Sequence, residues 1–243
     1  MKDQYFGDVN DYRKYGLLRC IAEVGLKIGV CWLLTPDDRK GHGELRRYLA
    51  EPERWRDYDN QLYDALQRLG DPKVPRTVKY AHEWSLVPGA RYFTERLADQ
   101  AEARDIYFHA AFTALAGSDL IFFDPDNGLE VSSTPRGSKG SAAYVYRREI
   151  GEAFKKGYSI LLYQHYPRVN RARFAHFLAD RLAEELGAAE VSAFVTSHVV
   201  FFLVQQPGHR RALAAASESV RSKWHGQIEV WAGPIHAAPD ESA

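Results

Sequence analysis

An α/β fold is predicted for this chain: a Rossmann-like, doubly wound, mostly parallel sheet that ends in an antiparallel C-terminal edge hairpin. Three observations predict it. Residues 28–34, 120–123 and 158–163 are apolar runs bounded by turn signals, the pattern of strands buried on both faces. Between them lie segments of helical periodicity; the clearest, 171–186, carries Phe174, Phe177, Leu178, Leu182 and Leu186 on one side. Near the end, 191–195 and 198–204 are separated by little more than Thr196-Ser197, which marks a hairpin. Strands that alternate with helices give a parallel sheet covered on both faces, and the closing pair gives the reversed edge. The length fits one domain over residues 1–236, with a possible helical insertion at 44–75 and a flexible tail at 237–243.

In chain order, Asp8 or Asn10 caps a first helix that runs to Glu23, with Leu17, Leu18, Ile21 and Ala22 as its apolar face. Its first turns hold Tyr12, Arg13 and Lys14, which either point at an anion or are a solvated turn. Strand 28–34 leads into a polar loop from Thr35 to Gly43, where a first βα loop meets a phosphate or nucleoside. Residues 44–70 read as one or two helices, 77–81 as a short strand, 91–103 as a helix and 105–109 as another strand. The loop 131–141, rich in Gly, Ser and Thr and carrying Lys139, is a substrate lid or a mobile connector. A helix at 147–156, the strand 158–163, a helix at 210–223 and a last strand at 228–231 complete the pattern. Strand 158–163 ends in the polar cluster Gln164-His165-Tyr166-Pro167-Arg168.

Composition narrows the classes. The 32 basic and 32 acidic residues cancel, so no whole-chain attraction draws the protein to nucleic acid or to a membrane surface; a local basic face is still allowed. Cys20 and Cys31, both in apolar surroundings, read as reduced core residues of a cytoplasmic protein. No stretch has the run of apolar residues that a membrane span requires.

The chemistry concentrates after the central strand. Leu120–Phe123 ends at Asp124-Pro125-Asp126-Asn127-Gly128, where Pro125 stops the ladder and Asn-Gly turns the chain. Ligands of open parallel sheets sit at the carboxyl ends of the strands, so two carboxylates and an amide are delivered to that place.

The order of motifs resembles the class I S-adenosylmethionine-dependent methyltransferases, and within them the bacterial ribosomal RNA adenine-N6 methyltransferases. Gly7-Asp-Val-Asn-Asp-Tyr-Arg-Lys-Tyr15 is similar to that family's Gly-Asn-x-x-Asp-Val-x-Lys-His opening. Trp32-Leu-Leu-Thr35 falls where the family has its first strand and cofactor loop, and Asp124-Pro-Asp-Asn127 where it has Asp-Pro-Pro-Tyr. The resemblance implies S-adenosylmethionine as cofactor, RNA or DNA as partner, and a target amine aligned by the motif at Asp124, Asp126 and Asn127. It places Lys14, Tyr15, Thr35, Asp37, Asp38, Gly41 and Glu83 near the cofactor. Asn10, Lys139, His165 and Arg168 fall to the substrate. Positioning of this kind needs no metal.

The residues leave two alternatives open. Asp37, Asp38, Asp124, Asp126 and Glu130 can be read as an all-oxygen Mg²⁺ or Mn²⁺ site of a nuclease or phosphodiesterase, with Lys139 or His165 beside the scissile phosphate. The same scaffold can also serve as a non-catalytic binding module.

Overall fold

In the computed structural model, residues 1–38, 45–187 and 190–231 are described; Gly41 and the expected tail 237–243 lie outside them. The elements are, in order, helix α1 (Val9–Glu23), strand β1 (Ile28–Cys31), helices α2 (Pro52–Trp55), α3 (Asn60–Gln67) and α4 (Tyr80–Glu83), and strand β2 (Arg91–Phe93). Then come α5 (Ala101–Ala114), β3 (Leu120–Phe123), β4 (Gly128–Leu129), β5 (Tyr144–Val145), α6 (Arg147–Lys155) and β6 (Ser159–His165). The last are α7 (Arg171–Leu186), β7 (Val191–Val195), β8 (Val199–Val204), α8 (Arg210–Lys223) and β9 (Glu229–Trp231).

Seven strands form one sheet in the order β2-β1-β3-β6-β8-β7-β9, and β4 pairs with β5 in a separate ribbon. The β1, β2, β3 and β6 neighbours are parallel, with Val30 opposite Phe122 and Phe122 opposite Leu161. β8 runs antiparallel between β6 and β7, and β9 adds an antiparallel strand outside β7. The expected fold class is therefore the observed one, and the hairpin's second strand is the one seated against the parallel set.

Alternation along the strands sets the layers. Leu120 and Phe122 join one apolar cluster with residues of α1, α3 and α8; Ile121 and Phe123 join the other with residues of α5, α6 and α7. Each of these four side chains is fully buried, a contribution of roughly 1.5–3 kcal/mol apiece from removing apolar surface from water. Helix α1 crosses α8 closely because Gly16 carries no side chain: a Cβ there would overlap the ring of Trp224. The region 44–75 does hold helices, and their residues Leu62, Tyr63 and Leu66 pack into the same cluster as α1.

Three expected elements differ. Residues 105–109 were expected as a strand for their β-branched and aromatic content, but they lie inside α5. Arg104, Tyr107, Phe108, Ala111 and Phe112 are buried at helical spacing while Ile106 stays exposed. Residues 91–93 are β2 rather than the start of a helix, because they pair with β1. The expected strand at 77–81 is a turn leading into α4, with Tyr80 stacked on Trp84 at 4.1 Å. The loop 131–141 is a stapled connector. Buried Arg104 donates to both oxygens of Glu149 at 2.8 Å and to the carbonyls of Ser141 and Tyr144; Asp99 accepts from the amides of Gly140 and Ala142. Arg136 adds bonds to Glu149 and Asp105.

Candidate functional site

β1 leads left to β2 and right to β3 in the sheet, so the carboxyl ends of β1 and β3 flank the topological switch point, where open α/β sheets bind ligands. A cleft of ≈ 400 Å³ opens there. Asp124 to Asn127 form one wall, the first turn of α1 another, and Tyr163 and His165 from β6 a third. The chain's first residues, Met1, Lys2 and Tyr5, lie across it.

The motif loop is held by its neighbours. Gln164 accepts from the Leu129 amide at 2.8 Å and donates to the Asn127 carbonyl at 3.3 Å, so the end of β6 fixes the path after β3. Gly128 takes φ 122°, and a Cβ there would overlap the Gln164 amide, which is why glycine follows Asn127. Asp8 caps α1 by accepting from the amides of Asn10 and Asp11. That cap orients an unusual first turn in which Asn10, Asp11, Arg13 and Lys14 are all buried.

Lys14 is the centre of this turn. It is 1% exposed. Its Nζ donates to Asp124 at 2.8 Å and pairs with Asp11 at 2.5 Å. Burial pulls its pKa down, but the two carboxylates outweigh burial and hold it above the ordinary lysine value. Burial raises Asp124, with Lys14 opposing. Asp8, buried beside the Asp11 charge, is pushed up to about 7. Asp126 is pushed up by burial too, yet the Met1 ammonium, the Thr35 hydroxyl and Lys2 overcome this and hold it below the usual carboxylate range. Its contacts are 2.8 Å to the ammonium, 2.7 Å from the Thr35 hydroxyl and 3.2 Å to Lys2.

Two further features mark a ligand site. The Met1 ammonium is received by the carbonyls of Leu33 at 3.2 Å and Asp124 at 3.0 Å together with Asp126. Leu33 reaches this position with a left-handed φ of 45°, a conformation that side chains other than glycine rarely adopt. Asn10, 6% exposed and lining the cleft, has a buried side-chain oxygen with no hydrogen-bond partner. A buried acceptor left unpaired costs about 1–3 kcal/mol, a cost that a ligand donor would remove. Five carboxylates (Asp8, Asp11, Asp38, Asp124 and Asp126) face three cations (Met1 ammonium, Lys2 and Lys14), so the cleft favours a cationic group.

Of the residues expected from sequence, Asp124, Asp126, Asn127, Lys14, Asn10, Asp38 and His165 line this cleft. Thr35 stands behind Asp126, and Asp37 accepts from the Gln4 amide. Tyr15 is instead a core residue against Phe6 and Trp32. Glu83, at the exposed end of α4, Lys139, in the stapled connector, and Arg168, exposed beyond β6, do not line the cleft. The strand beside β1 is β2, and the acid just beyond its carboxyl end is Glu95 rather than Glu83. The alternative metal set also separates. Glu130 pairs with Arg147 and Asp124 with Lys14, and among the described residues no three carboxylate, imidazole or thiol groups converge on a metal position. The sequence reading missed Met1, Lys2, Tyr5, Asp11 and Tyr163 in the cleft. Asp11 was legible in hindsight, one helical turn before Lys14.

No family model matches the chain, and no curated protein matches it. Among solved structures, protein LPL1258 from Legionella pneumophila str. Philadelphia 1, of the family model DUF519, superposes with a TM-score of 0.49 at 14% sequence identity. The superposition covers 94% of this chain and 97% of that one. Among the described residues no helix is long and apolar enough to cross a membrane.

Proposed function

We propose that this protein is an S-adenosylmethionine-dependent amino-methyltransferase acting on nucleic acid or a related substrate, with its reactive centre at Asp124. One observation carries the reading: the cleft at the switch point is an acceptor set for an α-ammonium, built from the Leu33 and Asp124 carbonyls and the Asp126 carboxylate. The methionyl part of S-adenosylmethionine presents that group, and its sulfonium suits a cleft in which carboxylates outnumber cations. The residues therefore fit the cofactor. The same acceptors hold Met1 in the structure, so the cofactor's ammonium and that of Met1 exclude one another there.

When bound, the cofactor supplies an electrophilic methyl group. The chain's own part is positioning. Lys14 opposes the protonation that burial favours at Asp124 and fixes its orientation, so that the carboxylate can accept from a target amine and direct the nitrogen lone pair. Asn10 offers its unpaired oxygen as a second acceptor. Gln164 holds the Asn127 carbonyl and the turn that follows it. His165 stands at the mouth, its pKa lowered from the ordinary imidazole value by its surroundings, and offers a ring nitrogen for the proton of the product amine.

The test is calorimetry of S-adenosylmethionine and S-adenosylhomocysteine with and without Mg²⁺, followed by transfer of labelled methyl to RNA and DNA. Binding without metal is expected, weakened by Asp126→Asn; Asp124→Asn is expected to bind cofactor and lose transfer. A folded protein that binds neither compound would end this reading.

A further inference from the structure

A second concavity, of ≈ 460 Å³, lies beside the acidic cleft and shares Asn127 and His165 with it. Its chemistry is different. Tyr144, Tyr166, Phe174 and Phe177 line it, with Tyr166 edge-on to Phe174 at 6.3 Å. Two large apolar side chains exposed in this molecule, Val131 and Phe177, sit on its rim, at 41% and 58% exposure. The Tyr166 phenol oxygen is shielded from water and has no partner.

The segment that borders this groove is basic in a way that helix energetics disfavour. Arg168, Arg171 and Arg173 surround the start of α7, whose first turn holds no acid. Cations near a helix N-terminus oppose the macrodipole. None of the three forms an ion pair among the described residues: Arg171 donates only to the Ser197 carbonyl, and stacks on Tyr166 at 5.4 Å. Elsewhere nearby, arginines are neutralised. Arg147 pairs with Glu130 and Glu185, and Arg181, later in the same helix, with Glu185. Unpaired guanidinium groups at the positive end of a helix form an anion-binding face, and aromatic rings beside them form a stacking surface.

We infer that this groove and the start of α7 are a track for single-stranded nucleic acid: phosphates on Arg168, Arg171 and Arg173, and a base stacked against Phe177 and Tyr166. The inference deepens the proposed function by giving its substrate the unpaired form and a route, through the wall of Asn127 and His165, to the acidic cleft. A duplex keeps its bases stacked inside and cannot use the aromatic groove, so the track selects against it. Neutral net charge leaves this local face as the electrostatic contribution.

Fluorescence anisotropy of the whole protein with labelled oligouridylate and oligoadenylate, in RNA and DNA forms, and with the matched duplex, tests this across a salt series. Single strands are expected to bind more tightly than duplex, with the logarithm of affinity falling against the logarithm of salt at a slope of about −2 for three phosphate contacts. Arg168→Ala with Arg173→Ala should cut that slope by about two thirds. Phe177→Ala should weaken binding about tenfold with the slope unchanged. Arg173→Glu should abolish binding and raise thermal stability, which separates lost contact from lost folding. RNA preference would locate recognition at the 2′-hydroxyl, and equal binding of RNA and DNA at phosphate and base; both support the track. Duplex binding as tight as single-strand binding, or variants that bind like the parent, would overturn it. Cofactor calorimetry beside strand binding on the unaltered protein keeps the two readings apart: the track stands if strands bind and cofactor does not, and fails if cofactor binds and strands do not.

Discussion

Replacing Lys14 by methionine removes one charge while keeping a straight side chain of similar length in the same helix, so the change is electrostatic in the main. In the parent, one fully buried ammonium serves both Asp11 and Asp124. Removing one partner of a buried ion pair typically costs about 3–5 kcal/mol, because the remaining charge is left without compensation. The expected loss here is ~4 kcal/mol near pH 8, a fall in melting temperature of roughly 8–16 °C for a chain of this size. The sign with pH is fixed. Without Lys14, burial raises the Asp124 carboxyl further above its unfolded value. A group with a raised folded pKa stabilises below its unfolded pKa and loses that contribution as pH rises through the folded one. The variant's deficit is therefore greatest in alkali and shrinks as the solution is acidified and the Asp124 carboxyl takes up a proton. Urea unfolding followed by tryptophan fluorescence from about pH 8 to about pH 5 measures it. A deficit below about 1 kcal/mol near pH 8, or one constant over the range, would refute the claim that Lys14 neutralises two buried acids.

Asp8→Asn keeps a good cap and removes a carboxyl whose folded pKa of about 7 lies above its unfolded value. The variant should gain stability over the parent as pH rises from about 4 to above 7, by at most ~4 kcal/mol, and match it in acid; pH-resolved thermal melts check this. Gly16→Ala places a methyl group in the Trp224 ring and should cost about 1–3 kcal/mol, read from urea midpoints and from a shift in Trp224 emission. Arg104→Ala takes from buried Glu149 its two-pronged partner and leaves Arg136 as its one cation, so a loss of about 3 kcal/mol is expected, with limited proteolysis opening the chain first between 131 and 143.

Much of the fold was legible because sheets buried on both faces announce themselves. The run 120–123 is apolar without interruption and 158–163 is broken only by Ser159, and the helix at 171–186 shows an apolar stripe, although Phe177 on it is exposed. The misreadings arose where local composition and tertiary demand part company. Asp105-Ile-Tyr-Phe-His looks like a strand, yet Tyr107 and Phe108 complete a helical face together with Arg104 and Ala111. Residues 91–93 are too short to show a period and become a strand only by pairing with β1. In the site, Asp124 to Asn127 and Lys14 were found by position and motif order. Met1 and Lys2 carry no local signal; only the three-dimensional path brings them to Asp126. Hydropathy also misplaces the first turns of α1, where Asn10, Asp11, Arg13 and Lys14 read as a solvated surface and are buried; Arg13 and Lys14 pair there with Gln227 and Asp124, both distant in the chain.

The seating of β8 between β6 and β7 has a consequence for the order in which a ribosome delivers this chain. β7 is synthesised first, but it reaches the parallel strands only through β8. Until residues 199–204 have emerged, the outer edge of β6, with Ile160, Leu161 and Leu162, offers open backbone groups on an apolar strand. Such an edge is a template for pairing with another chain. A product halted after Val195 therefore carries β7 with no native partner and β6 with one edge open, and translation stops or frameshifts in this region should yield insoluble fragments rather than a smaller working domain.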